Sequence, residues 1–294
     1  MRRGMLLAAL VAAGAVSMAA AVYQAQPPQG PKIVEVEKLK DNLYLLKGGG
    51  GNTAAFITAN GVVVVDTKNP GWGQPILDKI KTFTDKPVTM IINTHTHGDH
   101  TSGNVEFPAT VDIVVQENTK SNMEKMDIFK QNSDKGMPKK TFKDKMSLLG
   151  GNDRIDLYYF GPGHTNGDAW VVFPTLRVMH AGDMFAGKSA PFIDPANGGS
   201  GIAYSQTLSN AVAGVKDVDS VITGHSTVMT WSDLKEFTDF NKDFLAWVQS
   251  EMKAGKSVDD AASEFKVPEK YKDYSPGTRV KNDIEVIYAE AKGK

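Results

Sequence analysis

The chain has 294 residues, enough for one large domain or two small ones. Hydrophobic residues make up 41% and charged residues 23%, a balance that supports a packed core and excludes an intrinsically disordered chain. A net charge of −1 removes the electrostatic basis for non-specific nucleic-acid binding, and the absence of Cys excludes disulfides, thiolate metal sites, Cys nucleophiles and iron–sulfur clusters.

Residues 1–21 read as a signal peptide. Arg2 and Arg3 supply a positive start, residues 4–16 carry no charge, and Ala19-Ala20-Ala21 fits the A-x-A cleavage pattern. The apolar run falls short of the ~20 residues a bilayer span takes. An uncleaved anchor is the alternative, and the Arg pair leaves ordinary and twin-arginine export both open. The mature chain would begin near Val22, in the periplasm or outside the cell. Residues 22–32 read as a Pro/Gln/Gly tether, and residues 33–294 as one domain.

Short alternating or β-branched runs at 33–36, 43–46, 54–58 and 62–65 predict strands, with Gly, Asn and Asp between them. An amphipathic helix over 75–84 follows, with Ile76, Leu77, Ile80 and Phe83 on one side. The apolar run 88–93, bounded by Pro87, predicts a buried strand. A loop over 95–104, a strand over 113–115 and a helix from about Asn118 make a second cycle. Residues 120–145 hold eight Lys and a break at Gly136-Met137-Pro138. They read as a solvated helix pair or as a mobile flap whose Met side chains adapt to a ligand. Strands follow over 154–160, 169–173, 176–180 and 220–223, and helices over 204–215 and 232–254. In the last of these Leu234, Phe237, Phe240, Phe244, Trp247 and Val248 recur at helical steps, which marks a core face. Ser257 and Asp260 can form a capping box, and a final helix covers 278–291.

Of six His, three fall within His95-Thr96-His97-Gly98-Asp99-His100. That segment leaves the carboxyl end of a buried strand, where open α/β sheets bind ligands. In an extended stretch His95 and His97 can point the same way, while Asp99 and His100 turn toward a second point. Four N/O ligands without Cys suit a borderline metal such as zinc. His164 lies in a glycine loop, Gly163-His164-Thr165. Asp183 follows the strand carrying His180, and His225 follows another apolar strand as Gly224-His225. Four strand ends thus each present a ligand type.

HTHGDH, GHT, GD and GH, in this order and spacing, resemble the metallo-β-lactamase-fold hydrolase superfamily over nearly all the chain from about Ile33. The resemblance implies an α/β fold, a four-layer αββα sandwich with a binuclear metal site along one edge of the paired sheets. It implies two zinc ions, with iron or manganese left open. His95, His97 and His164 would hold the first, Asp99, His100 and His225 the second, and Asp183 would bridge them. The lack of Cys excludes the β-lactamase subclass with Cys at the bridging position. Asp183 resembles instead the glyoxalase II, lactonase and general hydrolase branches. No C-terminal Arg/Lys glutathione-binding segment of the glyoxalase II kind is evident in 271–294. Ala186 stands where lactonases place a Tyr. HAGDMFAGKSAPFID resembles an exported branch of metal-dependent hydrolases.

The expected activity is hydrolysis of a small molecule with an activated carbonyl: an ester, thioester, lactone or lactam. Cations lower the pKa of bound water from about 15.7 to about 7, and Asp99 would orient that nucleophile and move a proton. A periplasmic β-lactamase and a non-catalytic metal- or ligand-binding module are the alternatives. Asp66 and His180 read as partners behind the ligands or as structural residues. Lys188 could pair with a substrate carboxylate or stand in solvent. Phe185, Phe192, Trp72 and Tyr204 could line an apolar pocket or belong to core and surface. No nucleic-acid partner and no stable membrane insertion after signal cleavage are expected. The oligomeric state is open.

Overall fold

The computed structural model describes residues 32–293. The signal peptide expected at 1–21, and all but the last residue of the expected tether, lie outside the described residues. The first sheet has seven strands in sequence order: β1 (Glu35–Lys40), β2 (Leu43–Lys47), β3 (Thr53–Thr58), β4 (Gly61–Val65), β5 (Val88–Ile92), β6 (Asp112–Gln116) and β7 (Lys140–Phe142). Helices α1 (Gly73–Ile80), α2 (Gly98–Thr101), α3 (Glu117–Met123) and α4 (Asp127–Gln131) lie between its later strands in sequence. The second sheet has six strands. In chain order they are β8 (Lys145–Leu148), β9 (Ile155–Tyr158), β10 (Trp170–Phe173), β11 (Val178–His180), β12 (Ser220–Ile222) and β13 (Met229–Thr230), which is also their order across the sheet. Helix α5 (Gly201–Gly214) precedes β12. Helices α6 (Trp231–Lys253), α7 (Val258–Glu264) and α8 (Val280–Ala291) follow β13.

Side-chain alternation builds four layers from these elements. Leu45, Phe56, Val63 and Val65 of the first sheet meet Leu157, Val171 and Phe173 of the second in one buried cluster. The intervening Val62 and Val64 point the other way, into a cluster with Ile76, Ile80, Met123 and Phe129 of the first helical layer. Trp170 and Val172 likewise turn outward, onto Tyr204, Leu208, Phe237, Phe240 and Ile284. A strand buried on both faces needs apolar residues at every position, which is why β4 reads as an unbroken Val run. The result is the αββα sandwich that the resemblance implied.

Strand direction then decides what gathers at one edge. β4, β5 and β6 run parallel, so Asp66, the His-rich segment and Gln116 all leave the same side of the first sheet. β11 runs parallel to β12, and two antiparallel steps through β10 make β9 parallel to both. The loops carrying His164, Asp183 and His225 therefore leave one side of the second sheet.

Several expectations differ in detail. β1 starts at Glu35 rather than Ile33, which is 66% exposed. α1 stops at Ile80, four residues short of the expected end, where Thr82 turns its hydroxyl back to Lys79 O. The expected loop 95–104 contains α2. Residues 120–145 hold the end of α3 and all of α4, the largely exposed helix pair of the first expectation, followed by β7 and the start of β8. Met123 and Phe129 are fully buried, and β7 and β8 pair with β6 and β9, which ties the segment to both sheets. The long aromatic row on α6 packs in the core as its spacing required, and Thr230 forms a capping box with Asp233 at its start.

Leu45 is fully buried between the sheets. Leu45→Ala should cost about 2–5 kcal/mol in a urea unfolding measurement. Asp283, on α8, accepts from Ile193 N at 3.3 Å while its Oδ2 has no partner, and burial pushes its carboxyl up to about 8. An unfolded Asp ionises near pH 4, so this group withdraws stability as pH rises from about 4 to about 8. Urea midpoints of wild type and Asp283→Asn should diverge in the variant's favour across that window.

Candidate metal centre

His95, His97, Asp99 and His100 come from the segment after β5 and from α2. His164, Asp183 and His225 come from the loops after β9, β11 and β12. The sheet packing brings these seven residues together in two groups. One holds His95, His97, His164 and Asp183, the other Asp99, His100 and His225. Within each group one ligand atom per residue lies within 4.8 Å of the others.

In the first group His95 Nε2 stands 3.2 Å from His97 Nδ1, which stands 2.9 Å from His164 Nε2. These contacts look like hydrogen bonds, but the outer nitrogens argue otherwise. His97 Nε2 is 2.7 Å from Asp194 Oδ2, and His164 Nδ1 is 2.7 Å from Phe192 O. His95 Nδ1 is 3.0 Å from Thr94 Oγ1, whose own proton goes to Asp66 Oδ2 at 2.7 Å. Each outer nitrogen faces an acceptor oxygen and so carries the ring proton. Three lone pairs are left aimed at one point with no proton between them. A cation satisfies that arrangement, and neutral imidazole is the form that binds one. Burial, with His100 and His164 adding to it, holds His95 well below the usual imidazole range. Burial pushes His164 down to about 4 against the pull of Asp183.

The second group repeats the logic. His100 Nδ1 is 2.7 Å from Asp66 Oδ2, so its Nε2 faces inward, 3.3 Å from His225 Nε2 and 3.7 Å from Asp99 Oδ2. His225 Nε2 is 3.2 Å from that same Asp99 oxygen. Asp183 stands between the groups. Oδ1 is 3.2 Å from His100 Nε2, and Oδ2 is 3.7 Å from His164 Nε2 and 3.3 Å from His225 Nε2. Oδ1 is buried and makes no hydrogen bond of acceptable geometry. Burial opposes the Asp183 charge, yet the facing His100 and His225 hold the carboxyl well below its usual range. The Asp183 and Asp99 carboxylates raise His225 to about 9. Burial disfavours a charge on His100, but Asp183 and Asp66 raise it well above the usual range. Two carboxylates here demand positive charge, and a cation held by these residues would supply it in place of ring protons. The donor set fits one cation in each group.

The glycines beside the clustered residues are steric requirements. A Cβ on Gly224 would stand 1.9 Å from Asp183 Oδ1, and one on Gly51 would stand 2.1 Å from the His100 ring. Asp66, fully buried, accepts from Thr94 N, Thr94 Oγ1 and His100 Nδ1 at 2.7 Å each. His180 is buried outside the cluster. Its Nδ1 accepts from Gly182 N and its Nε2 donates to Asn52 O, both at 3.1 Å, which leaves no nitrogen for a metal.

Three of the residues offered for substrate stand elsewhere. Lys188 Nζ is held 2.7 Å from Asp233 and 3.3 Å from Glu236. Phe185 is fully buried against Phe237, and Trp72 covers Gly49 beside the first helical layer. Phe192 and Tyr204 do line a cavity of about 670 Å3 that also contains His97, Asp99, Asp183 and His225. Sequence reasoning missed Asp194, Asn52 and Arg279. Asp194 closes the HAGDMFAGKSAPFID segment, so its place near the site was readable. Its pairing with a histidine 97 positions away was not.

Comparison with known proteins agrees with the fold. The model of the Metallo-beta-lactamase superfamily matches residues 46–225, which include all seven clustered residues. Metallo-beta-lactamase type 2 of Elizabethkingia meningoseptica is 31% identical over 220 residues, 68% of this chain and 80% of that protein. Hydroxyacylglutathione hydrolase of Nostoc punctiforme is 27% identical over 165 residues, 54% of this chain and about half of that protein (53%). Among solved structures, the metallo-beta-lactamase from Pontibacter korlensis superposes with a TM-score of 0.61 at 20% identity, over 71% of this chain and 99% of that one, a likeness of fold. With its four layers, its clustered His and Asp residues and this match over most of its length, the chain belongs to the metallo-β-lactamase superfamily of hydrolases.

Proposed function

We propose that the chain is an exported hydrolase holding two zinc ions, and that it cleaves an activated carbonyl of a small molecule. The observation that carries the reading is the set of inward-facing lone pairs, each fixed by an oxygen behind its imidazole. When bound there, divalent cations supply Lewis acidity and bring the ionisation of water into the neutral range. The chain's own residues supply the rest. Asp99 is half-buried, lines the cavity, and is kept ionised by the His225 hydrogen bond against the cost of its burial. It is placed to orient an attacking water and take its proton. Asp183 stands between the two groups and keeps them in register. Tyr204 donates to Asp183 O at 3.1 Å and steadies that backbone. Phe192 and Phe237 give the cavity apolar wall, and its volume suits a small molecule.

A β-lactam is the second candidate substrate, favoured by the 31% identity to metallo-beta-lactamase type 2. The similarity to hydroxyacylglutathione hydrolase adds acylglutathione thioesters to the panel. The test is metal content of the chain from Val22, by mass spectrometry, with turnover of nitrocefin, lactones and thioesters in the same buffer. About two zinc per chain is expected. His97→Ala and Asp183→Ala should each lower kcat/KM by at least about 100-fold. Iron with oxygen consumption, or two metals with no turnover on any substrate, would overturn the reading. Asp194→Ala should lower metal affinity about 10- to 100-fold, measured by chelator competition, with the fold intact by circular dichroism.

A further inference from the structure

Helix α8 turns one stripe toward a single loop. Arg279 at its N-cap, then Asp283, Ile287 and Glu290, recur at three- and four-residue steps, which puts them on one face. Each meets residues 192–202. The Arg279 guanidinium carbon stands 3.6 Å from the ring centre of Phe192, and Asp283 Oδ1 accepts from Ile193 N at 3.3 Å. Ile287 and Ile193 are buried together beside Gly201, where a Cβ would stand 2.4 Å from Ile287 Cγ1 and 3.0 Å from Ile193 Cδ1. Glu290 accepts from Ser200 Oγ and Ile202 N at 3.0 Å and from Gly201 N at 3.1 Å, which closes the amino end of α5.

That loop stands behind the first group of clustered residues. Phe192 O faces His164 Nδ1 and Asp194 Oδ2 faces His97 Nε2, both at 2.7 Å. Asp194 N donates to His164 O and Ser200 N to Gly163 O, both at 2.9 Å. Ile193, the residue Asp283 holds, sits between the two residues that fix those rings. The second group has other support. Asp66, at the end of β4, stands behind His100, and among the described residues no hydrogen bond or ion pair joins α8 to Asp66, Asp99, His100 or His225.

Packing alone does not account for the stripe. Asp283 is fully buried and its Oδ2 has no partner, so an apolar residue would cover the second sheet at lower cost. Burial disfavours its charge, while Ile193 N and Arg279 act against that effect. α8 also lies beyond residues 46–225, so this support comes from outside the region that matches the family.

We propose that α8 braces residues 192–202 and thereby fixes the His97 and His164 rings, with Asp283 and Glu290 as positioning residues that set how tightly the first group holds its cation. The affinity rests on the zinc reading above; the ring orientations do not. The test uses the chain from Val22 as wild type, Asp283→Ala, Asp283→Asn, Glu290→Ala and Phe244→Ala. The last is a core truncation on α6, where the Phe244 ring packs on Phe240 and Phe265. Heteronuclear NMR of the metal-free chain reads the imidazole tautomers, and chelator competition reads the affinity for zinc. Asp283→Ala should mix the tautomers of His97 and His164, leave that of His100 unchanged, and weaken one of two zinc sites about 10-fold. Glu290→Ala should act in the same direction, since it frees the donors that hold Ser200. Asp283→Asn keeps an acceptor for Ile193 N and should match wild type in both readings. Phe244→Ala should lower the urea midpoint and move neither reading. Unchanged tautomers in Asp283→Ala, or unchanged affinity where wild type binds zinc, overturns the proposal, as does an equal loss in Phe244→Ala. Mixed His97 and His164 tautomers in Asp283→Ala, with no zinc bound by wild type, would uphold the brace and overturn the zinc reading.

Discussion

Each of four imidazoles in the centre has one nitrogen committed to an oxygen behind it, and the geometry of the whole site descends from those commitments. Asp66 receives both Thr94 and His100, Thr94 faces His95, Asp194 faces His97, and the Phe192 carbonyl faces His164. A free imidazole would flip or protonate. These cannot do so without burying an unpaired donor or acceptor, which costs about 1–3 kcal/mol each. The register of β4 against β5, with Val65 opposite Ile92, sets Asp66 beside Thr94. Asp66 itself adopts φ 64°, a left-handed conformation uncommon outside glycine and tolerated by Asp. Backbone strain is thus accepted where the carboxylate must serve three donors.

The two sheets share the centre between them. The first brings His95, His97, Asp99 and His100, and the second brings His164, Asp183 and His225. Neither sheet holds a complete set for either group. Their union depends on the buried layer between them and on bonds at the site edge. Asn52 Nδ2 donates to Thr223 O and Ser226 O at 2.9 and 2.7 Å, Asn52 N donates to Gly224 O at 2.7 Å, and Ala169 N donates to Thr94 O at 2.7 Å. Gly51 and Gly224 allow the final approach, since a Cβ on the first would strike the His100 ring and one on the second Asp183. Site geometry and core packing are therefore one problem, and a substitution that shifts one sheet against the other also moves half of the donor set.

The C-terminal helices do more than cover the second sheet. α6 and α8 bury Phe237, Phe240 and Ile284 against it, and the segment between α7 and α8 reaches back to the loop after β11. That contact places an arginine at the same cavity as the clustered histidines. Lys188, nearer the site in sequence, is drawn away by two carboxylates at the start of α6. Proximity to Asp183 along the chain was a poor guide to which cation faces the cavity.

What the sequence determined was local. Three His and one Asp within six residues after an apolar run were enough to mark a metal-binding strand end, because ligand spacing and strand periodicity are short-range properties. The unbroken Val run of β4 and the helical steps of α6 disclosed which elements are buried for the same reason. The short strands β7 and β8 were hidden, since in Lys-rich segments of three and four residues it is the neighbouring strands that impose extended structure. Tertiary structure alone decided that Asp194 faces His97, that Asn52 joins the sheets and that Arg279 rather than Lys188 lines the cavity. Each of those contacts joins residues scores of positions apart, and hydrogen-bond direction, lone-pair orientation and ion-pair choice take effect only when folding brings them within about 3 Å.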